Sequence, residues 1–280
     1  MELEHDLPRL QAQGFGLAAI SYDSVAILKN FADRRGITFP LLSDPESKII
    51  RDFGILNVST PKNTPFAGIP YPGTYLVDRQ GVVLSKYFVD DFKERDTAGE
   101  ILVKQFGIRT EEAHSTAETK YFQLATSASN QMVHQGQHIS LVLDLDLKPK
   151  MHVYAPGVQG GYIPIDWKLA DSPGFQVSPA EYPKPQVLHL DVIKETVPVF
   201  LGHLRIVRDI VIGTDTQVKP LLGSANELTV EGSLRYQVCD DQECYLPATQ
   251  PLKWTLQFEP LDRQRVPPEL QRKAVTEPRP

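Results

Sequence analysis

The spacing of apolar residues changes character near residue 107, and no single layer architecture accommodates both patterns. Before that point helical and strand patterns alternate, which is the mark of an α/β unit. Glu2 to Gln13 reads as a helix closed by Gly14, and Phe15 to Tyr22 as a buried strand. Asp23 and Ser24 offer caps for a helix running through Arg35, with Gly36 ending it. Phe39 to Leu42 is a short extended piece, and Asp44-Pro45 opens a short helix through Phe53. Thr74 to Val77 and Val82 to Phe88 read as strands joined by the turn Asp78-Arg79-Gln80-Gly81. Thr97 to Phe106 closes the unit as a helix followed by Gly107.

Ile108 to Thr119 is polar and reads as a linker, residues 108–119. Beyond it the helical period disappears. Segments 138–147, 203–213, 227–238 and 252–258 alternate apolar and polar residues, with Pro and Gly in the gaps, so residues 120–260 are expected to form an antiparallel β-sandwich. From about residue 261 the chain carries Pro267, Pro268, Pro278 and Pro280 among charges, and 261–280 reads as a disordered tail.

At 280 residues there is room for two domains, each with its own core. The formal net charge of −6 gives no reason to expect a nucleic-acid partner, which would need clustered Lys and Arg. No apolar run approaches the ~20 residues of a membrane helix, so no span is expected in this chain. The opening MELEHDLPRL lacks the basic and apolar regions of a secretory signal, and taken literally it predicts a cytoplasmic protein.

The chain has two cysteines, Cys239 and Cys244, five positions apart in YQVCDDQECYLP. Such a pair can open and close as a disulfide with little backbone movement. The intervening Asp240, Asp241, Gln242 and Glu243 are polar turn formers, which places the thiols at a sheet end where a partner can reach them. A structural staple is the rival, although a loop this short would stabilise by only ~2 kcal/mol. Zinc is disfavoured because no second Cys/His pair has ligand spacing, and His189 and His203 stand alone. The three acidic residues in the turn disfavour a thiolate, and no Lys, Arg or His within the turn offsets them. That suits a dithiol activated by docking rather than a strongly acidic nucleophile. Spacing alone leaves the redox and structural roles both open.

The segment YQVCDDQECYLP resembles the cysteine-bearing strand and turn of the N-terminal periplasmic domain of the thiol:disulfide interchange protein DsbD, in the order Tyr236, Cys239, Cys244, Tyr245, Pro247. MHVYAPG (151–157) resembles that family's early strand of aromatics beside the disulfide, which implies such roles for His152 and Tyr154. PVFLGHLRI (198–206) resembles the cap loop that shields the disulfide, with Phe200 as the shielding aromatic. His152 stands where an aromatic is usual, and Pro198-Val199 replace acidic residues expected before the cap. Over residues 120–258 the resemblance implies an immunoglobulin-like sandwich. Its Cys239–Cys244 pair would exchange electrons with thioredoxin-like proteins, the chain's own first domain among them, in the periplasm and without a cofactor or metal.

Residues 1–107 resemble the latter part of a thioredoxin-like redoxin of the AhpC/TSA, or peroxiredoxin, type. ITFPLLSDPESKIIRDFGI (37–55) follows its strand, S-D-P and helix, and YPGTYLVDRQGVVL (71–84) its strand–turn–strand entered through a cis-proline, here Pro72. Peroxiredoxins tend to have arginine there, so proline points to the redoxin branch. The family's reactive cysteine precedes the helix in which this chain begins, and residues 1–107 contain none. The family's central strand is likewise absent between 15–22 and 74–77, which would leave two unpaired edges. Met1 is therefore expected to be internal to a longer protein, the rival being a degenerate redoxin scaffold. Two further functional readings are a peroxidase whose reactive cysteine lies upstream and a binding module with a structural disulfide.

Overall fold

The computed structural model describes residues 2–89, 93–108, 113–190 and 194–272. The chain divides into two compact units, residues 1–98 with 261–280 and residues 99–260.

In the first unit the local signals produce the elements they promise. These are α1 (Glu2–Ala12), β1 (Ala19–Ser21), α2 (Val25–Arg35), β2 (Leu41–Ser43), α3 (Lys48–Asp52), β3 (Gly73–Val77), β4 (Val83–Phe88) and β5 (Arg95–Asp96). The Ser24 hydroxyl accepts from the Ile27 amide, and Gly36 closes α2 in the left-handed region at φ 64°. The buried Asp44 carboxylate accepts from the amides of Lys48 and Ile50, each at 2.9 Å, and so fixes the start of α3. Asp78 Oδ1 accepts from Gln80 and Val82 within the β3–β4 hairpin turn.

Strand β1 pairs in parallel with β2, and β3 pairs antiparallel with β4. Among the described residues no hydrogen-bonded strand joins the two pairs. The strand expected over Phe15 to Tyr22 is regular only over Ala19–Ser21, the stretch that faces β2. The buried apolar residues Leu7, Leu28, Phe39 and Ile50 make a thin core. Leu42, Phe53, Val58, Phe66, Val83 and Leu84 remain exposed. Pro72 departs from expectation, because every peptide bond among the described residues is trans. The Tyr71 amide donates to Ile55 O and β3 begins at Gly73, so the chain stays extended and holds the ordinarily favoured isomer.

The segment beginning at Leu261, expected to be a free tail, has specific partners as far as Arg272. Asp262 accepts from Arg34 and Arg35, and the Arg272 guanidinium lies 4.0 Å from the Tyr22 ring centroid. Charge pairing and cation–π contact order residues that have little apolar surface to bury. Residues 273–280 lie outside the described residues.

The second unit begins within α4 (Ala98–Phe106), the helix expected to close the first. Ile101, Leu102 and Val103 are buried on it. A Cβ at Gly99 would come within 2.3 Å of Ser129 O, so only glycine permits this close approach. Lys104 Nζ adds an ion pair to Asp209 at 2.6 Å. The expected linker also contains structure, since β6 (Ser115–Glu118) pairs with β7 (Phe122–Ala128). The remaining strands are β8 (Met132–Val133), β9 (Gln137–Leu147), β10 (His152–Tyr154), β11 (Asp166–Leu169), β12 (Phe175–Glu181), β13 (Gln186–Leu190), β14 (Glu195–Leu201), β15 (His203–Ile212), β16 (Glu227–Tyr236), β17 (Val238–Cys239) and β18 (Ala248–Phe258). The short helix α5 (Asp215–Val218) interrupts them.

One sheet runs β12-β15-β9-β7-β6 and another β11-β16-β18-β8, almost wholly antiparallel. Strand β9 shows why they pack. Ile139, Leu141, Leu143 and Leu145 alternate along it and are fully buried, while Asp144 and Asp146 turn to Arg205 and His203 on β15. Trp167 on β11 and Trp254 on β18, both fully buried, stack with ring centroids 5.5 Å apart. The side chains of both sheets join one core, as in a β-sandwich. A smaller sheet, β13-β14-β10-β17, ends at the first cysteine.

Candidate disulfide site

Strand β17 places Cys239 at the edge of this smaller sheet, directly across from His152 on β10, with Val238 across from Val153. Alternation then sorts the side chains. Val153 and Val238 enter the main core, whereas Tyr154, Val197, Val199 and Cys239 form a separate cluster. The chain turns back through Asp240–Glu243, and Cys244 returns opposite Cys239 with Cα atoms 4.0 Å apart and an Sγ–Sγ bond between them. Asp240 organises the turn. Its carboxylate accepts from the amides of Gln242 and Glu243 and from the Tyr245 hydroxyl at 2.7 Å, and its own amide donates to Glu243 O.

The two sulfurs are unequal. Cys239 is 1% exposed, whereas Cys244 lies on the surface. The Tyr154 hydroxyl is 3.5 Å from Cys244 Sγ, and the Tyr154 ring packs at 4.5 Å on Tyr162, whose hydroxyl donates to Glu195. On the other side of the turn, Tyr245 packs on Tyr121 with centroids 4.7 Å apart. The Lys120 ammonium covers both of these rings.

The hydrogen bond from Tyr245, followed by those from the turn amides, holds the Asp240 carboxyl below its usual range. The same bond pushes the Tyr245 hydroxyl up to about 12, and the bond to Glu195 does so for Tyr162. Burial raises Tyr154. Burial lowers His152, while Asp241 and Asp240 pull it back up.

The structure thus gathers Cys239, Cys244, His152, Tyr154 and Tyr245. It does not bring Phe200 to them. Phe200 pairs with Val153, faces the main core and stacks on Tyr182. The period of β14 dictates this, because Val199 and Leu201 take the disulfide side and the residue between them must take the other. The segment read as a cap loop is two strands meeting at Gly202, which adopts φ 63°. Pro72 belongs to the first unit. Tyr162, Glu195, Tyr121 and Lys120 were not anticipated. Gly160-Gly161 before Tyr162, both at positive φ, was the available signal that the chain folds back there.

Residues 1–86 match the AhpC/TSA family model, and residues 120–255 match that of the thiol:disulfide interchange protein DsbD, N-terminal. An alkyl hydroperoxide reductase E of Mycobacterium tuberculosis is 33% identical over 84 residues, 29% of this chain and 50% of the relative. A putative peroxiredoxin of the same organism is 32% identical over 77 residues, 27% of this chain and 48% of the relative. The chain therefore spans about half the length of the curated relatives it matches. Among solved structures, the N-terminal periplasmic domain of ScsB from Proteus mirabilis is similar at 12% identity and TM-score 0.35, covering 59% of this chain and 54% of that one. The reduced DsbD N-terminal domain of Neisseria meningitidis is similar at 14% identity and TM-score 0.28, covering 41% and 74%. By the family matches, residues 1–86 are similar to AhpC/TSA proteins and residues 120–255 to the N-terminal domain of DsbD.

Proposed function

We propose that this chain passes reducing equivalents through Cys239–Cys244 by thiol–disulfide exchange with thioredoxin-like partners. The inequality of the two sulfurs carries the reading. An incoming thiolate can reach Cys244 Sγ from solvent, and the buried Cys239 is the sulfur that leaves. The mixed disulfide would then form at Cys244, beside the Tyr154 hydroxyl and next to the exposed Leu246. Residues 1–107 hold no cysteine, so the exchange rests on the second unit. We read that unit as an immunoglobulin-like sandwich working in an oxidising, extracytoplasmic compartment such as the periplasm, where a disulfide can persist between partners.

The test is equilibration of the disulfide with a thioredoxin. A reduction potential above about −300 mV and a mixed disulfide trapped by Cys239→Ser, with none by Cys244→Ser, are expected. A potential below that range and no trapped species would leave only a structural staple.

A further inference from the structure

His152 is paired directly with Cys239 across β10 and β17, and side chains so placed share a face with Cβ atoms ~4.5–5.5 Å apart. The residue is 2% exposed, and its Nε2 finds no hydrogen-bond partner among the described residues. A buried nitrogen left unpaired is destabilising, so its place beside a bond built to open calls for a partner that exists only once that bond is open. Cys239 supplies one. In the disulfide its sulfur carries no proton, and in the dithiol it carries an S–H that can donate.

We propose that His152 is the proton acceptor for the Cys239 thiol. With the imidazole proton on Nδ1, the Nε2 lone pair receives the Cys239 Sγ–H in the reduced protein. During reoxidation that nitrogen takes the proton as Cys239 becomes the attacking thiolate. The inference rests on the exchange reading above.

The chemistry balances with a dithiol donor. A donor thiolate bonds to Cys244 Sγ, the Cys239–Cys244 bond breaks, and Cys239 leaves with the electron pair and gains a proton. The donor's second thiolate then displaces Cys244, which gains the other proton, and the donor departs as a disulfide. Two electrons and two protons pass. In reverse, the Cys239 proton goes to His152 and then to solvent.

Each side of the ring has a defined neighbour. Asp240 and Asp241 act on it from the turn, Tyr154 stands edge-on at 5.6 Å on the same strand, and β14 presents the apolar Leu201 at the paired position. Burial favours the neutral imidazole, the form that can accept, and the two carboxylates oppose that preference. A phenyl ring here would fill similar space and accept nothing.

The experiment is an NMR titration of the histidine ring protons in the full chain, as the disulfide and after reduction with a phosphine. His152→Gln assigns the resonance. The His152 midpoint should fall on reduction, because the Cys239 S–H donates to the neutral ring and that bond must be given up when Nε2 is protonated. Reoxidation by glutathione disulfide should slow on the order of tenfold or more in His152→Phe, with partial recovery in His152→Gln. An identical His152 midpoint in both redox states, or a wild-type rate in His152→Phe, would overturn the proposal. The wild-type titration needs no substitution to fold, and the phosphine reduces the bond whether or not a thioredoxin does. Failure of thioredoxin exchange therefore refutes the functional reading by itself, and an unmoved histidine refutes this inference alone.

Discussion

The two units solve the problem of burying a sheet in opposite ways. In the second, β9 has neighbours on both edges, its apolar face is covered by a facing sheet, and two stacked tryptophans fill the middle. In the first, two strand pairs share no hydrogen-bonded edge among the described residues, and Leu42, Phe53, Val83 and Leu84 face outward beside a thin core. The difference teaches that correct local signals do not make a core. The caps at Ser24 and Asp44 and the Asp78 turn are as well formed as anything in the sandwich. Stability follows instead from how many layers close over each apolar side chain.

Paired core truncations test that contrast most strongly. Trp254→Ala should cost about 3–5 kcal/mol in the unfolding of the second unit, since it empties a large, fully enclosed site. Ile50→Ala, at the best-buried apolar residue of the first unit, should cost about 2 kcal/mol, because looser surroundings can collapse toward the gap. Denaturant unfolding followed by hydrogen exchange reads each unit separately. Equal costs at the two sites would break the comparison.

Reduction of the disulfide probes the same contrast at the edge of the sandwich. A loop closed over a sequence separation of 5 restrains few unfolded conformations, so its loss should cost at most ~2 kcal/mol. The second unit should keep its near-ultraviolet signal and lose only a few degrees of melting temperature. Unfolding on reduction would mean that the bond, rather than the two-sheet core, holds the unit together, and it would favour the staple.

Alternation and turn chemistry made much of this legible in the sequence. The β9 pattern, the hairpin at Asp78–Gly81 and the cysteine turn all depend on neighbours within a few residues. What escaped depends on distant ones. Lys120 reaches the cysteine turn from more than a hundred positions away, and Glu195 on β14 reaches Tyr162 over a sequence separation of 33. Phe200 shows a subtler limit. Its neighbours Val199 and Leu201 pack with Cys239, but the strand register sends Phe200 to the other face, and a shift of one residue would reverse that. Helix α4 packs against residues that follow it, as the close approach of Gly99 to Ser129 shows, and no helical period reveals the side a helix will choose.

The smallest expected effect is the pH response of the cysteine turn, and its two limbs have opposite signs. Asp240 has a depressed pKa, so its contribution is complete above the ordinary carboxylate range and is lost as pH falls through the depressed value. Tyr245 has a raised one, so its contribution is complete below the ordinary ~10 of tyrosine and is lost as pH rises toward about 12. Tyr245→Phe removes the shared hydrogen bond and should erase the alkaline limb while returning Asp240 toward its usual range. Tyrosinate absorbance of wild type minus variant isolates Tyr245 from Tyr162, which is also raised to about 12. Tyr22 in the first unit offers the contrast, since burial rather than a hydrogen bond raises it. A Tyr245 that titrates near 10 would show that Asp240 does not hold the turn, and that the carboxylate beside the sulfurs is free to act on them instead.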